Sequence, residues 1–320
     1  MRAAGNGSCI ILYYHRIATP AGDPWKTSVP PAVFDAQLEF LAARTEVLPL
    51  QELVGAARLG RLPDRAVAIT FDDGYFDNLD LALPILERRG QPATFYVATG
   101  LIDSTDPPWW DEIADLMLGD DTRPAFLEIK IGHEWIRAPT RTVEERESVL
   151  YGELNTLLKQ LPGERVDAAL RPLRRWAGRE LAEATLSRDP QTESRMMTVP
   201  ELERLAASDL AEIGAHTSLH PSLPALDAAG RRREIETSRD FLAELTGAAP
   251  RSFAYPFGDN DRAVRRATRE AGFDHAVTAE SKRPFTTADD EFAIPRIVAH
   301  DESPDELERR IESAFALIAS

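Results

Sequence analysis

The chain carries short blocks of consecutive apolar residues separated by longer amphipathic stretches. Blocks of this length, β-branched or aromatic and bounded by turn residues, predict buried strands; apolar residues three and four apart predict helices. Strands are expected at 10–14, 66–70, 93–97, 212–216, 252–255, 275–278 and 294–298. Helices are expected over 31–43, 50–59, 78–88, 227–245, 261–271 and 304–317. Gly60, Gly90 and Gly272 mark helix ends, and Pro84 is expected to bend the third helix. The strand–helix rhythm stops after the third strand. Residues 101–205 read as a mostly helical insertion, with helices over 109–118, 142–161 and 172–184 and a further start at Thr198-Val199-Pro200-Glu201. Seven strands with helical connections predict an α/β fold, a closed or nearly closed parallel barrel, as one domain over 1–320.

Composition narrows the function. The chain has 320 residues, 43% hydrophobic and 28% charged, which excludes a disordered tail, a collagen-like rod and a disulfide-stapled miniprotein. A net charge of −16 argues against nucleic acid or an anionic membrane surface as partner. The single cysteine, Cys9, can form no internal disulfide and no zinc-binding thiolate cluster. No run reaches the roughly 20 apolar residues of a membrane span, and the stretch from Cys9 to Tyr14 is too short for a signal peptide. A cytoplasmic protein without an integral membrane segment is expected.

In parallel α/β folds chemistry collects at the carboxyl ends of strands. The first expected strand ends at His15, the second at Asp72 and Asp73, and the fourth at His216, with His220 four residues on. Pro256-Phe257-Gly258 follows the fifth, and His300 and Asp301 follow the last. Two imidazoles at His-x-x-x-His spacing can meet one ion from a helical turn or a tight loop. Asp73 would complete a two-histidine, one-carboxylate set with positions left for water and substrate. Such a set suits zinc, and also cobalt, nickel, iron or manganese. Asp-Asp-Gly is also a common turn sequence, in which Asp binds backbone N–H groups and Gly supplies positive φ. Because neighbouring residues there point in different directions, one carboxylate can hold a metal while the other takes a proton from water.

Three segments in order resemble the first three motifs of the polysaccharide deacetylase family, the NodB-like carbohydrate esterases. They are Thr70-Phe71-Asp72-Asp73-Gly74, His216-Thr217-Ser218-Leu219-His220 and Phe253-Ala254-Tyr255-Pro256-Phe257-Gly258. Leu12-Tyr13-Tyr14-His15-Arg16-Ile17 resembles a first strand seen in bacterial members, and Trp109-Trp110-Asp111 resembles a segment of members linked to exopolysaccharide or cell-surface glycans. The resemblance covers roughly 8–100 and 205–300. It implies a distorted (β/α) barrel of seven or eight strands and removal of the N-acetyl group from an amino sugar, releasing acetate. It further implies that one divalent transition metal, zinc foremost, is held by Asp73, His216 and His220. On the same footing Asp72 is the general base, the Phe257 backbone N–H binds the oxyanion, and Tyr255 and Pro256 shape the groove wall.

Two positions depart from the family pattern. An arginine common two residues before the motif proline is Ala254 here, and Arg296 is the expected spatial substitute. The C-terminal Leu-x-His is met loosely by Val298-Ala299-His300, so His300 and His15 are both candidates for the general acid. Four of the five tryptophans lie in the insertion, at Trp109, Trp110, Trp135 and Trp176. Aromatic faces suit sugar rings, and the insertion, Trp110 included, is expected to form a lid or wall over the groove. A cytoplasmic location favours a nucleotide sugar, a lipid-linked intermediate or a small glycoconjugate over mature polymer. The alternatives are a glycan-binding protein that has lost catalysis and an amidohydrolase acting on a non-sugar amide.

Overall fold

The structure, a computed structural model, describes residues 7–119, 122–179, 194–279 and 281–319. Its centre is a curled sheet of parallel strands, β1 (Ser8–Tyr14), β2 (Ala66–Phe71), β3 (Ala93–Val97), β4 (Ala211–Ala215), β5 (Ser252–Ala254), β6 (His275–Val277) and β7 (Ile297–Val298). The spatial order is β6-β5-β4-β3-β2-β1, with β7 beside β1 and the short strand Phe285–Thr286 antiparallel to the start of β1. The last stave closes the curl. Ile294 bridges Val277 of β6, and three residues later Ile297 pairs with Leu12 of β1. The expected strand over 294–298 is therefore split. Pro295 carries no N–H for a ladder, and Arg296 is drawn inward between the two contacts. The result is a distorted (β/α) barrel.

Strand alternation decides what faces inward. Ile10, Leu12 and Tyr14 of β1, Val67, Ile69 and Phe71 of β2, and Phe95 and Val97 of β3 pack outward against the helices in the main core. Cys9, Ile11, Ala66, Ala68 and Tyr96 face the barrel interior. The inward positions of β2 are thus 66, 68 and 70, and the next in that series is Asp72. Gly214 is required on β4, because a Cβ there would lie 2.5 Å from the Tyr96 ring.

The helices follow the expected pattern: Pro31–Arg44, Leu50–Arg58, Ala228–Thr246, Arg262–Glu270 and Pro304–Ala319. The bend expected at Pro84 takes the form of a π-helical turn over Asn78–Ala82 that leads into the α-helix Leu83–Arg89. Within the insertion, the helix Trp109–Leu118 and the helical run from Val143 to Leu158 match the expectation. Two points are corrected. The segment expected to be helical over 172–184 starts at Val166 and ends at Trp176, with Pro172 inside it; residues 180–184 lie outside the described residues. A β-hairpin, Phe126–Ile131 with Glu134–Pro139, was not expected. Its outer face alternates cleanly with a buried one (Leu127, Ile129, Ile131, Ile136, Ala138), and together with Trp109, Ile113, Leu150 and Leu173 these residues form a core separate from the barrel's.

Candidate active site

The residues singled out at strand ends converge at the carboxyl end of the barrel. Asp72 continues the inward series of β2, and its backbone N–H donates to the Tyr14 carbonyl at 3.0 Å. Asp73 turns away at φ 77°, and Gly74 follows at φ 93°, where a Cβ would lie 3.1 Å from Val97 Cγ1. His216 ends β4, with its N–H bound to Val97 O at 3.0 Å. The residues after it form a tight loop and not a helical turn, with Thr217 at φ 65° and His220 at φ 57°. Glu234 on the helix Ala228–Thr246 holds that loop by accepting the Ser218 and Leu219 N–H groups at 3.0 and 2.8 Å. Asp73, Thr217, His220 and Phe257 are all non-glycine residues at positive φ, and all four sit here. Left-handed backbone at such residues is costly, so its concentration marks geometry held by its surroundings.

Three donor atoms meet. His216 Nε2 and His220 Nε2 are 3.1 Å apart, and Asp73 Oδ1 lies 3.6 and 3.4 Å from them. A tetrahedral ion with ligands at about 2.0–2.1 Å would separate its donors by about 3.3 Å. His216 Nδ1 lies 2.7 Å from the Ala254 carbonyl, which can only accept, so that nitrogen carries the proton and Nε2 presents its lone pair. Burial lowers the pKa of both histidines, keeping them neutral as ligands must be. Burial raises that of Asp73, with Asp72 and Asp111 adding to the rise. The three residues fit a divalent cation in spacing, lone-pair direction and missing positive charge.

Asp72 has its own partner. Arg296, fully buried, donates from Nη1 and Nη2 to the two Asp72 oxygens, each at 2.7 Å. The same guanidinium binds Thr70 Oγ1 at 3.0 Å and Thr278 O at 2.7 Å, and lies 4.6 Å from the Tyr13 ring centroid and 5.4 Å from that of Tyr96. Burial pushes the Asp72 carboxyl up, but Arg296 and His216 outweigh it and bring the pKa down to about 2. Two adjacent aspartates are therefore held in opposite electrostatic states, one paired with a cation and one facing lone pairs.

Aromatic side chains wall the cluster. His220 packs against Trp110 at 4.6 Å and Phe257 at 4.7 Å between ring centroids. Trp110 enters from the insertion, so the insertion does reach the site.

The family profile described as polysaccharide deacetylase matches residues 60–120 and 155–276, more than half of the chain. The chain belongs to that family. Membership supports a hydrolase that removes an acetyl group from a sugar. No curated protein matches significantly. Among solved structures, the chain is similar to the Streptococcus pyogenes deacetylase PplD in complex with acetate, at TM-score 0.61 and 18% identity over 96% of this chain and 99% of that one. It is similar to IcaB from Ammonifex degensii at TM-score 0.58 and 18% identity, covering 96% and 97%. It is also similar to the putative polysaccharide deacetylase BA0330 from Bacillus anthracis at TM-score 0.60 and 18% identity, covering 95% and 69%. At these identities the likeness is one of fold.

Other residues expected at the site of this deacetylase-family chain divide. His15 is half-buried at the end of β1, and its pKa falls to about 4 through burial, with Asp72 and Arg296 as charged groups in its surroundings. His300 is exposed, faces Arg310, Glu302 and Lys26, and is not brought to the cluster. Tyr255 is also displaced from its expected position: its ring is buried in the main core and its hydroxyl donates to Phe292 O at 3.0 Å, so it does not form a groove wall. Pro256 is buried at the turn, and Phe257 is half-buried at φ 59°. Trp109 is buried, Trp176 donates to Phe126 O at 2.9 Å, and Trp135 is exposed on the hairpin. Sequence reasoning assigned no role to Tyr75, Asp111, Arg16 and Asp77. Arg16 and Asp111 lie inside recognised segments and Tyr75 and Asp77 within three residues of one, but only the tertiary contacts join them.

Proposed function

We propose that the chain is a metal-dependent N-deacetylase that hydrolyses the acetamide of an amino sugar and releases acetate. The observation that carries this reading is the convergence of Asp73, His216 and His220 beside an Asp72 kept ionised by Arg296. Asp73, His216 and His220 would hold one divalent transition metal, zinc foremost and cobalt, nickel, iron or manganese by the same donor chemistry. When bound, the ion supplies Lewis acidity toward a carbonyl oxygen and a water.

The remaining chemistry falls to the chain. Asp72 is ionised at any working pH, and each of its oxygens keeps a lone pair beyond the one given to Arg296, so it accepts the proton of the attacking water. Phe257 adjoins His220, and its backbone N–H is the proposed donor to the oxyanion. Of the two candidate histidines, His15 has Asp72 in its surroundings and His300 does not, which favours His15 for passing a proton to the leaving amine. The substrate proposed is an N-acetylated amino sugar that is nucleotide-linked, lipid-linked or part of a small glycoconjugate.

The test is metal content by elemental analysis on the wild type and His216→Ala, followed by acetate release from N-acetylated sugars. About one metal per wild-type chain, lost in the variant, with acetate release from a sugar, supports the reading. Substrate binding without acetate release favours the glycan-binding alternative, and release from non-sugar amides alone favours the amidohydrolase.

A further inference from the structure

The two histidines of the donor set are held by different means. His216 is oriented by a hydrogen bond from Nδ1 to the Ala254 carbonyl. The equivalent nitrogen of His220 is buried and has no hydrogen-bond partner among the described residues. A metal-ligating imidazole is ordinarily fixed through its second nitrogen. His220 is instead wedged between the Trp110 indole, at 4.6 Å and 49°, and the Phe257 ring, at 4.7 Å and 73°. The orientation of its ring is set by whatever holds those walls.

Trp110 is held by a polar chain. Its Nε1–H donates to the Tyr75 hydroxyl at 2.7 Å, and that hydroxyl donates to Asp111 Oδ2 at 2.9 Å. Tyr75 is 2% exposed, and the Arg16 guanidinium lies 4.8 Å from its ring centroid. Arg16 is fixed in turn by Asp77 at 2.9 Å and Ser194 Oγ at 2.6 Å. Tyr75 stands two residues after Asp73, while Trp110 and Asp111 come from the insertion. The phenol therefore ties the insertion to the turn that carries one ligand and, through the indole, to the ring of another.

We infer that Tyr75 is a positioning residue for His220: its hydroxyl locks the Trp110 indole against the imidazole and so does the work of the hydrogen bond that His220 lacks. The inference rests on Asp73, His216 and His220 being a metal site. It assigns a part to the insertion in addition to any contact with substrate.

The test compares zinc affinity, by competition with a chelator, and the visible absorption of the cobalt-loaded protein, for wild type, Tyr75→Phe, Trp110→Phe and the double variant. Tyr75→Phe keeps the ring and removes only the hydroxyl. Loss of such an orienting contact is expected to weaken zinc binding about 10-fold and to shift the cobalt spectrum, which follows ligand geometry and not global stability. Because Tyr75 acts through Trp110, the double variant should lose no more than the weaker single variant. Should Tyr75→Phe fold poorly, Trp110→Phe probes the same link by removing the indole N–H. Wild-type affinity and an unaltered spectrum in either folded variant overturn the inference. Wild-type protein that binds neither ion overturns the metal reading itself, a separate outcome.

Discussion

Replacing Arg296 by Met tests the electrostatics of the site most directly. The arginine is wholly inside the barrel and makes two bonds to Asp72 and one each to Thr70 and Thr278. Met fills much of the volume but leaves Asp72, itself 4% exposed, without a counter-charge. Breaking a buried pair from one side costs about 3–5 kcal/mol, against a total stability of about 5–15 kcal/mol. The lowered pKa of Asp72 has the same sign: in spite of burial, the folded protein favours its ionised form. The sign follows from the depressed value. The wild-type contribution is present above pH about 4 and is lost as pH falls through about 2. In Arg296→Met the effect of burial is no longer offset by the arginine and raises the Asp72 pKa, so the deficit is greatest at neutral pH and shrinks below about pH 4. The assay is urea unfolding of chelator-treated protein at both ends of that range. Adding Asp72→Asn to Arg296→Met should restore about 1–3 kcal/mol, since a neutral amide needs no counter-charge. A loss below about 1 kcal/mol at neutral pH, or one independent of pH, would refute the argument.

Four further outcomes are expected. Asp72→Asn should keep wild-type metal content and lose about 10²–10⁴ in kcat, whereas full activity would remove Asp72 from the role of base. His15→Ala should lower kcat with metal retained and His300→Ala should not; the reverse result would move the proton transfer to His300. Gly163→Ala places a Cβ 2.2 Å from Leu219 Cβ, inside the loop that carries His216 and His220. It should lose about 1–3 kcal/mol in chemical denaturation, and an unchanged midpoint would contradict the close packing. Glu201 is drawn down to about 2 by Arg195 and the Thr198 backbone and hydroxyl, which outweigh burial. Glu201→Ala should cost about 1–2 kcal/mol at neutral pH, a difference that fades as pH drops from about 4.5 toward 2. Glu201 caps the start of the helix Val199–Ala206 by accepting the Thr198 N–H at 2.8 Å, and a deficit that persists in acid would mean that this cap is not electrostatic.

Much of the frame was legible because its signals are local. The apolar blocks that end at Tyr14, Phe71, Val97 and Ala215 are strands, and Asp72, Asp73, His216 and His220 follow them directly. Local signals failed where structure is made by partners distant in sequence. The hairpin over 126–139 alternates along its first strand and from Trp135 along its second but sits among helical segments, and its buried face has meaning only against Ile113, Leu150 and Leu173. Tyr255 shared a motif with Phe257, but the chain turns between them, with Phe257 at φ 59°, so the two side chains part and the Tyr255 ring went to the core. The roughly matched His300 stands outside the cluster because β7 is short and the chain leaves the barrel at Ala299.

The sequence by itself determined the barrel strands, the strand ends that carry the aspartates and histidines, and the residue types of the donor set. These follow from short apolar blocks bounded by turn residues and from the chemistry of imidazole and carboxylate, both readable within a few residues. Arg296 was expected near Asp72 from its place beside the last strand, but only the tertiary structure decided that both of its Nη atoms close on that carboxylate, 224 positions away, and that Tyr75 meets Trp110 35 positions away. Hydrogen bonds and ring contacts act over a few ångströms in space and carry no mark along the chain. Which charges are matched, and which imidazole is tethered or wedged, was set when the barrel closed and the insertion packed onto its rim.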